Sequence, residues 1–365
     1  MAVAPTRQRL APDVFRLPVD KIREGYYSDA YFNHTKTLLE EEGHRPSVHM
    51  QVFQKHDSVL GGIDEAVAVL KLCSGERGPD GEWIDGWSRL DVRALHEGDE
   101  IAPLEPVLTI EGDYALFAHL ETVYLGCLAR RTLIMRNVRE VVDAAGGKPI
   151  FYFPARHDHW LVQTGDGWAA HIAGAIGVST DAQASWWGGR GIGTVPHSLI
   201  AAYGGDTVEA ARRFADRFHD EMTITVLVDF DNDSVQTAVA VADALGDRLW
   251  GVRLDTSEYL VDRSLLEELG DFGPTGVNEQ LVGKVRSALD RAGHPGVRIV
   301  VSGGFDADRI RAFEARGVPV DAYGVGSSLI RGENDFTADV VTVDGQPRAK
   351  VGRRLIVSER TKKVE

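Results

Sequence analysis

From residue 149 onward, short apolar runs alternate with longer stretches whose apolar residues recur at the spacing of a helix face. Strand-like runs fall at Ile150 to Phe153, Gly174 to Val178, Gly193 to Val195, Ile224 to Phe230, Leu249 to Leu254, Arg298 to Val301 and Asp321 to Val325. Between them, Thr207 to Phe218, Ser234 to Leu245, Val277 to Ala292 and Ala307 to Arg316 carry helical periodicity. In such a repeat each helix returns the chain to the same end of the sheet, so successive strands run parallel. The rhythm predicts a parallel α/β barrel, or a sheet close to one, within residues 113–336.

The remaining residues follow a different pattern. Tyr31 to Glu41 and Ile63 to Leu72 are helical in spacing, and Val48 to Phe53 alternates as a strand. Arg89 to Glu111 reads as short β runs broken at Gly98, Pro103 and Pro106, and Tyr114 to Ala145 as a long helical region. Near the C-terminus, Ala338 to Val343, a turn at Asp344-Gly345, and Ala349 to Ile356 read as a β-hairpin. The predicted organisation is a mixed α+β N-terminal domain (1–112), completed by the C-terminal hairpin (337–365), with a barrel domain (113–336) between.

A chain of 365 residues with 43% apolar composition can bury the cores of two domains. Its 40 Lys and Arg against 55 Asp and Glu give a net charge of −15, which argues against a sequence-independent nucleic-acid binder. Phosphate ligands stay possible, because a few arginines can invert the field inside a cleft. Cys73 and Cys127 form neither a zinc pattern nor a disulfide framework, so a reduced setting is expected. With no signal-peptide core at the N-terminus and no apolar run of membrane-spanning length, the expectation is a cytoplasmic protein without a membrane partner.

The chemistry concentrates where strands end. Val297 to Val301 runs into Ser302-Gly303-Gly304-Phe305, and Val320 to Val325 runs into Gly326-Ser327-Ser328. Paired glycine-rich loops after the last two barrel strands suit a phosphate held by backbone N–H groups; they also suit tight βα turns with no ligand. Other strand ends add Arg156, His157 and His159; Thr194, His197 and Ser198; Asp229; and Arg253, Asp255 and Glu258. Arginines, carboxylates and backbone donors together suit a phosphorylated sugar carried with Mg²⁺. Asp229 and Asp255 equally suit helix N-caps, and His157 with His159 suits a solvated loop as well as a metal site.

Taken in order, these segments resemble the nicotinate phosphoribosyltransferases, within the type II phosphoribosyltransferases that include the nicotinamide and quinolinate enzymes. The resemblance runs over most of the chain. It begins at Ser28-Asp29-Ala30-Tyr31-Phe32 and Gln51 to Lys71, and passes through Phe153-Pro154-Ala155-Arg156 and Gly193-Thr194-Val195-Pro196-His197-Ser198. It ends with Val228-Asp229, Gly251-Val252-Arg253-Leu254-Asp255-Thr256 and the two glycine loops.

The resemblance implies a homodimer in which Phe153, and Tyr31 from the other subunit, sandwich the pyridine ring of nicotinate. It implies that Arg156 and Arg253 contact phosphoribosyl pyrophosphate or the pyridine carboxylate, and that Asp229 and Asp255 hold ribose hydroxyls or Mg²⁺. Gly303, Gly304, Gly326 and Ser327 would hold the 5′-phosphate, with Thr194 and Ser302 as further substrate contacts. His197 matches the histidine phosphorylated in members that couple the reaction to ATP. Two departures stand out: His157 replaces a second arginine of the family pattern, and the tail lacks the cysteines of zinc-bearing relatives. The expected reaction forms nicotinate mononucleotide and pyrophosphate; quinolinate or nicotinamide as substrate, or a non-catalytic nucleotide-sensing barrel, are the alternatives.

Overall fold

The computed structural model describes residues 8–268 and 270–365. They form two compact units, one of residues up to Arg136 together with Gly332–Glu365, the other Asn137–Arg331. The division falls inside the long helix Glu121–Ala144 rather than at residue 112, and that helix is preceded by two 3₁₀ turns, Tyr114–Leu116 and Ala118–Leu120.

In the first unit, a six-stranded antiparallel sheet runs in the order 346–347, 337–343, 47–53, 108–113, 91–94, 362–363. The C-terminal segment Thr337–Val343 pairs with Ser47–Phe53, so the tail does complete this sheet. The second arm of the expected hairpin is shorter than its sequence pattern implied. Pairing stops after Gln346–Pro347, and Ala349 to Ile356 form no strand. Pro347 brings no N–H to the ladder, and Gly352 turns the chain with φ +87°. The segment is held instead by Gln51, whose Oε1 accepts from the Ile356 N–H at 3.1 Å. Helix Ile63–Cys73 is buried around most of its circumference, which explains a sequence apolar on more than one face.

In the second unit, six parallel strands are β1 (Ile150–Tyr152), β2 (Gly177–Val178), β3 (Ile224–Leu227), β4 (Leu249–Leu254), β5 (Arg298–Val301) and β6 (Ala322–Val325). Their order is β3-β4-β5-β6-β1-β2, a half-barrel sheet. Every residue of β3 and β6 is buried, as expected of parallel strands covered on both faces. The predicted strand at Gly193 to Val195 is only a seam between the sheet edges. Ile192 N–H donates to Val178 O on β2 at 2.7 Å, and Val195 N–H donates to Thr225 O on β3 at 2.9 Å.

The helices between strands start where the sequence supplies an acceptor. Asp206, Asp233, Asn278 and Asp306 each accept from the amide three residues on, capping Thr207–Phe218, Ser234–Leu245, Glu279–Arg291 and Ala307–Ala315. Each cap satisfies an amide that the helix itself cannot, worth about 1 kcal/mol.

Candidate active site

A cleft of about 850 Å³ opens in the second unit, lined by the residues that end its strands. Phe153, Arg156 and His157 follow β1; Ser179 and Thr180 follow β2; Thr194, His197 and Ser198 lie on and beyond the seam. Arg253 and Asp255 come from β4, Ser302 to Phe305 follow β5, and Gly326 and Ser327 follow β6. Residues separated by up to about 175 positions thus meet because parallel strands deliver their C-terminal ends to one side.

The two glycine loops are tied to each other and to β4. Ser328 Oγ donates to Phe305 O at 2.8 Å, joining loop to loop. Arg253 Nε donates to Ser302 Oγ at 2.7 Å, and that hydroxyl donates onward to Asp255 Oδ1 at 2.7 Å. Arg253 also reaches Asp255 Oδ2 at 3.5 Å, and its Cζ lies 5.0 Å from the centre of the Phe153 ring. The guanidinium is therefore oriented on three sides while it lines the cleft, and the pairing at 3.5 Å leaves much of its charge available to an anion.

Gly303 and Gly304 have φ +81° and +73°, conformations an L side chain adopts only with strain. A Cβ on Gly303 would sit 3.3 Å from Asp255 Oδ1. Gly324 is required for a different reason: a Cβ there would meet the Phe153 ring at 2.8 Å, so its absence makes room for the aromatic wall of the cleft. Asp306 accepts from the Arg309 N–H at 2.9 Å and so occupies its own helix start. Donors for an anion must then come from the loop amides rather than from that capped turn.

His197 Nε2 lies 3.0 Å from Asp229 Oδ1. Hydrogen bonding to Asp229 raises the histidine's pKa above its ordinary value, against the opposing effect of burial. His157, close to Gly326, moves the other way: burial and then the charges of Arg156 and Arg331 lower its pKa. Neither Asp229 nor Asp255 is the N-cap of a following helix; the Ser234 helix is capped by Asp233, and Asp255 braces Ser302.

The cleft gathers Phe153, Arg156, Thr194, His197, Arg253, Asp255, Ser302, Gly303, Gly304, Gly326 and Ser327 from the sequence-predicted set. Asp229 joins them through His197. Tyr31 belongs to the first unit, where it is 61% exposed. Sequence reasoning missed Ser179, Thr180 and Gly324, which sit in no recognisable motif; His157, at the end of β1, is part of the cleft wall as its strand-end position suggested. Among the described residues no three metal-ligating side chains converge. Of the two carboxylates expected to hold Mg²⁺, Asp255 lines the cleft and Asp229 reaches it only through His197; two carboxylates suit a cation that takes its other ligands from water and phosphates, not one caged by protein alone.

A family model for the quinolinate phosphoribosyl transferase N-terminal domain matches residues 29–132. The chain is 35% identical over 272 residues to the nicotinate phosphoribosyltransferase pncB1 of Mycobacterium tuberculosis, covering 72% of this chain and 56% of that protein. It thus spans about half the length of the curated relatives it matches. The solved human nicotinic acid phosphoribosyltransferase superposes with a TM-score of 0.65 at 18% identity, covering 90% of this chain and 77% of that one, a likeness of fold. The nicotinate-nucleotide pyrophosphorylase of Pyrococcus furiosus superposes with a TM-score of 0.77 at 35% identity, covering 93% of this chain and 80% of that one. Identity at that level across most of both chains, on a half-barrel whose cleft collects both glycine loops together with Arg156 and Arg253, makes this chain a member of the type II phosphoribosyltransferases.

Proposed function

We propose that the chain is a nicotinate phosphoribosyltransferase of NAD salvage, joining nicotinate to phosphoribosyl pyrophosphate with release of pyrophosphate. The observation that carries this reading is the single cleft in which both glycine loops, Arg156, Arg253 and the Phe153 ring converge. The named relative in Mycobacterium tuberculosis supports nicotinate as the base.

The reaction asks the protein for alignment and charge rather than for a base. The pyridine nitrogen already carries its lone pair and attacks the anomeric carbon as the C–O bond to pyrophosphate breaks. The transition state has oxocarbenium character, and negative charge grows on the leaving group. Phe153 offers the pyridine a flat wall, and Gly303, Gly304, Gly326 and Ser327 hold the 5′-phosphate by their amides. Arg156 and Arg253 neutralise the pyrophosphate or the nicotinate carboxylate, while Asp255 keeps Ser302 and Arg253 in register. Mg²⁺ near Asp229 and Asp255, when bound, would supply further neutralisation of the leaving pyrophosphate.

ATP coupling is assigned to His197. With Nε2–H donating to Asp229, the neutral ring keeps its free lone pair on Nδ1, which can take the γ-phosphoryl group as ADP leaves. Tyr31 of a second copy is assigned the other face of the pyridine, giving a homodimer with shared sites.

The test uses purified full chain with phosphoribosyl pyrophosphate and nicotinate, nicotinamide or quinolinate, each with and without ATP. Mononucleotide formed from nicotinate and accelerated by ATP is the expected result. Turnover with CO₂ release from quinolinate alone would assign the quinolinate reaction, a reading favoured by the name of the matching N-terminal family. Binding of nucleotide without turnover would replace the enzyme reading by a sensor.

A further inference from the structure

The first phosphate loop carries two consecutive glycines at positive φ, and flexible glycines lose much entropy when a ligand orders them. One residue outside the cleft lining counters that freedom. Arg309 Nη1 donates to Gly303 O at 2.9 Å and to Gly304 O at 3.2 Å. Its Nη2 donates to Val277 O, on the segment before helix Glu279–Arg291. The guanidinium lies 4.2 Å from the centre of the Phe305 ring, and Phe305 is buried. Arg309 itself stands at the third helical position, where its backbone N–H is fixed by Asp306.

Peptide planarity gives these contacts a consequence. In a trans peptide the carbonyl and the following N–H point in opposite directions. Holding the Gly303 and Gly304 carbonyls on the guanidinium therefore turns the N–H groups of Gly304 and Phe305 away from it. Neither amide is engaged by a backbone carbonyl among the described residues, and both residues line the cleft. A cation on the carbonyl side also polarises each peptide unit and makes its N–H a better donor.

We propose that Arg309 is a positioning residue for the sugar-phosphate subsite: it locks the Gly303-Gly304 loop from behind so that its amides are aimed at the 5′-phosphate before ligand arrives. This rests on the phosphoribosyl reading above. Arg309 does not contact the phosphate; its charge is committed to carbonyls. An ammonium cannot reproduce that arrangement, since it lacks the planar fork that spans both glycine carbonyls and Val277 at once.

The experiment titrates ribose 5-phosphate and, separately, nicotinate into full-length wild type, Arg309→Met and Arg309→Lys by calorimetry. Met keeps an apolar stem over Phe305 while removing the donors. Both variants are expected to bind ribose 5-phosphate about tenfold more weakly, with nicotinate affinity within about twofold of wild type. In turnover assays the KM for phosphoribosyl pyrophosphate should rise more than kcat falls, a split that general loosening of the fold would not produce. Wild-type affinity in Arg309→Met would overturn the proposal, and wild-type affinity in Arg309→Lys would reduce the arginine to a diffuse charge. Should either variant fail to fold, wild type labelled with ¹⁵N glycine and phenylalanine decides: inorganic phosphate should shift the Gly304 and Phe305 amides, and unmoved signals at saturation overturn the proposal. A wild type that binds no ribose 5-phosphate at all refutes the phosphoribosyltransferase reading itself.

Discussion

Nε2 of His197 lies 3.0 Å from Oδ1 of Asp229, and that contact fixes which ring nitrogen is committed and which is available. Asp229 is only 6% exposed in its side chain, whereas that of His197 is 42% exposed, so the carboxylate is the anchored partner. Because the pair raises the histidine's pKa, its stabilising effect is full below the ordinary value of about 6.5 and is lost as pH climbs through the raised value. Asp229→Asn should move the ring titration, followed by proton NMR, to lower pH. Phosphorylation by ATP needs the neutral ring, so its rate should rise at lower pH in that variant than in wild type. An unmoved titration would mean that the pair does not set the histidine's charge.

Gly324→Ala should damage the pyridine subsite selectively. The added Cβ would stand 2.8 Å from the Phe153 ring, so the ring must tilt or retreat. Loss of an aromatic contact worth about 0.5–1.5 kcal/mol predicts a KM for nicotinate raised roughly two- to twelvefold. The KM for phosphoribosyl pyrophosphate should change little. Equal effects on both substrates would show that the substitution disturbs β6 as a whole.

Gly304→Val tests the loop amides directly. A β-branched residue is strongly disfavoured at φ +73°, and relaxing the strain would withdraw donors worth about 1.5–3 kcal/mol each to a charged partner. Calorimetry with nicotinate mononucleotide should show that loss in a variant with native circular dichroism. Near-normal affinity would return the loop to the status of an ordinary tight turn.

A shared site predicts complementation. Tyr31→Ala and Arg253→Ala should each be inactive as homodimers, and subunit exchange between them should restore part of the activity by creating one intact site per heterodimer. No recovery after exchange verified by native mass spectrometry would remove Tyr31 from the active site.

Legibility varied with how local the signal was. The helices Thr207–Phe218 and Ser234–Leu245 could be read because their apolar residues recur at helical spacing along the whole element. The glycine loops and the polar residues ending β4 could be placed at the cleft because each lies within a few residues of an apolar run. Ala349 to Ile356 misled because its alternation suits a strand, yet strand formation needs a partner edge, and the chain instead meets the side chain of Gln51. Ser179 and Gly324 escaped notice because a short polar loop and a strand glycine reveal a cleft only once neighbouring strands are assembled. Arg309 is harder still: its partners are backbone carbonyls, which every residue possesses and no motif records.

The seam at residues 192–195 makes the half-barrel resemble a collar fastened by one clasp. Elsewhere the wall is a run of paired strands, but here the join depends on the Ile192 bond to Val178 and the Val195 bond to Thr225. Thr194 and His197 sit on or just beyond that clasp, whereas Arg253 and the glycine loops sit on the stiff wall. The two glycine loops thus follow continuously paired strands, and the residue able to change its own charge stands where the wall has the fewest bonds to lose.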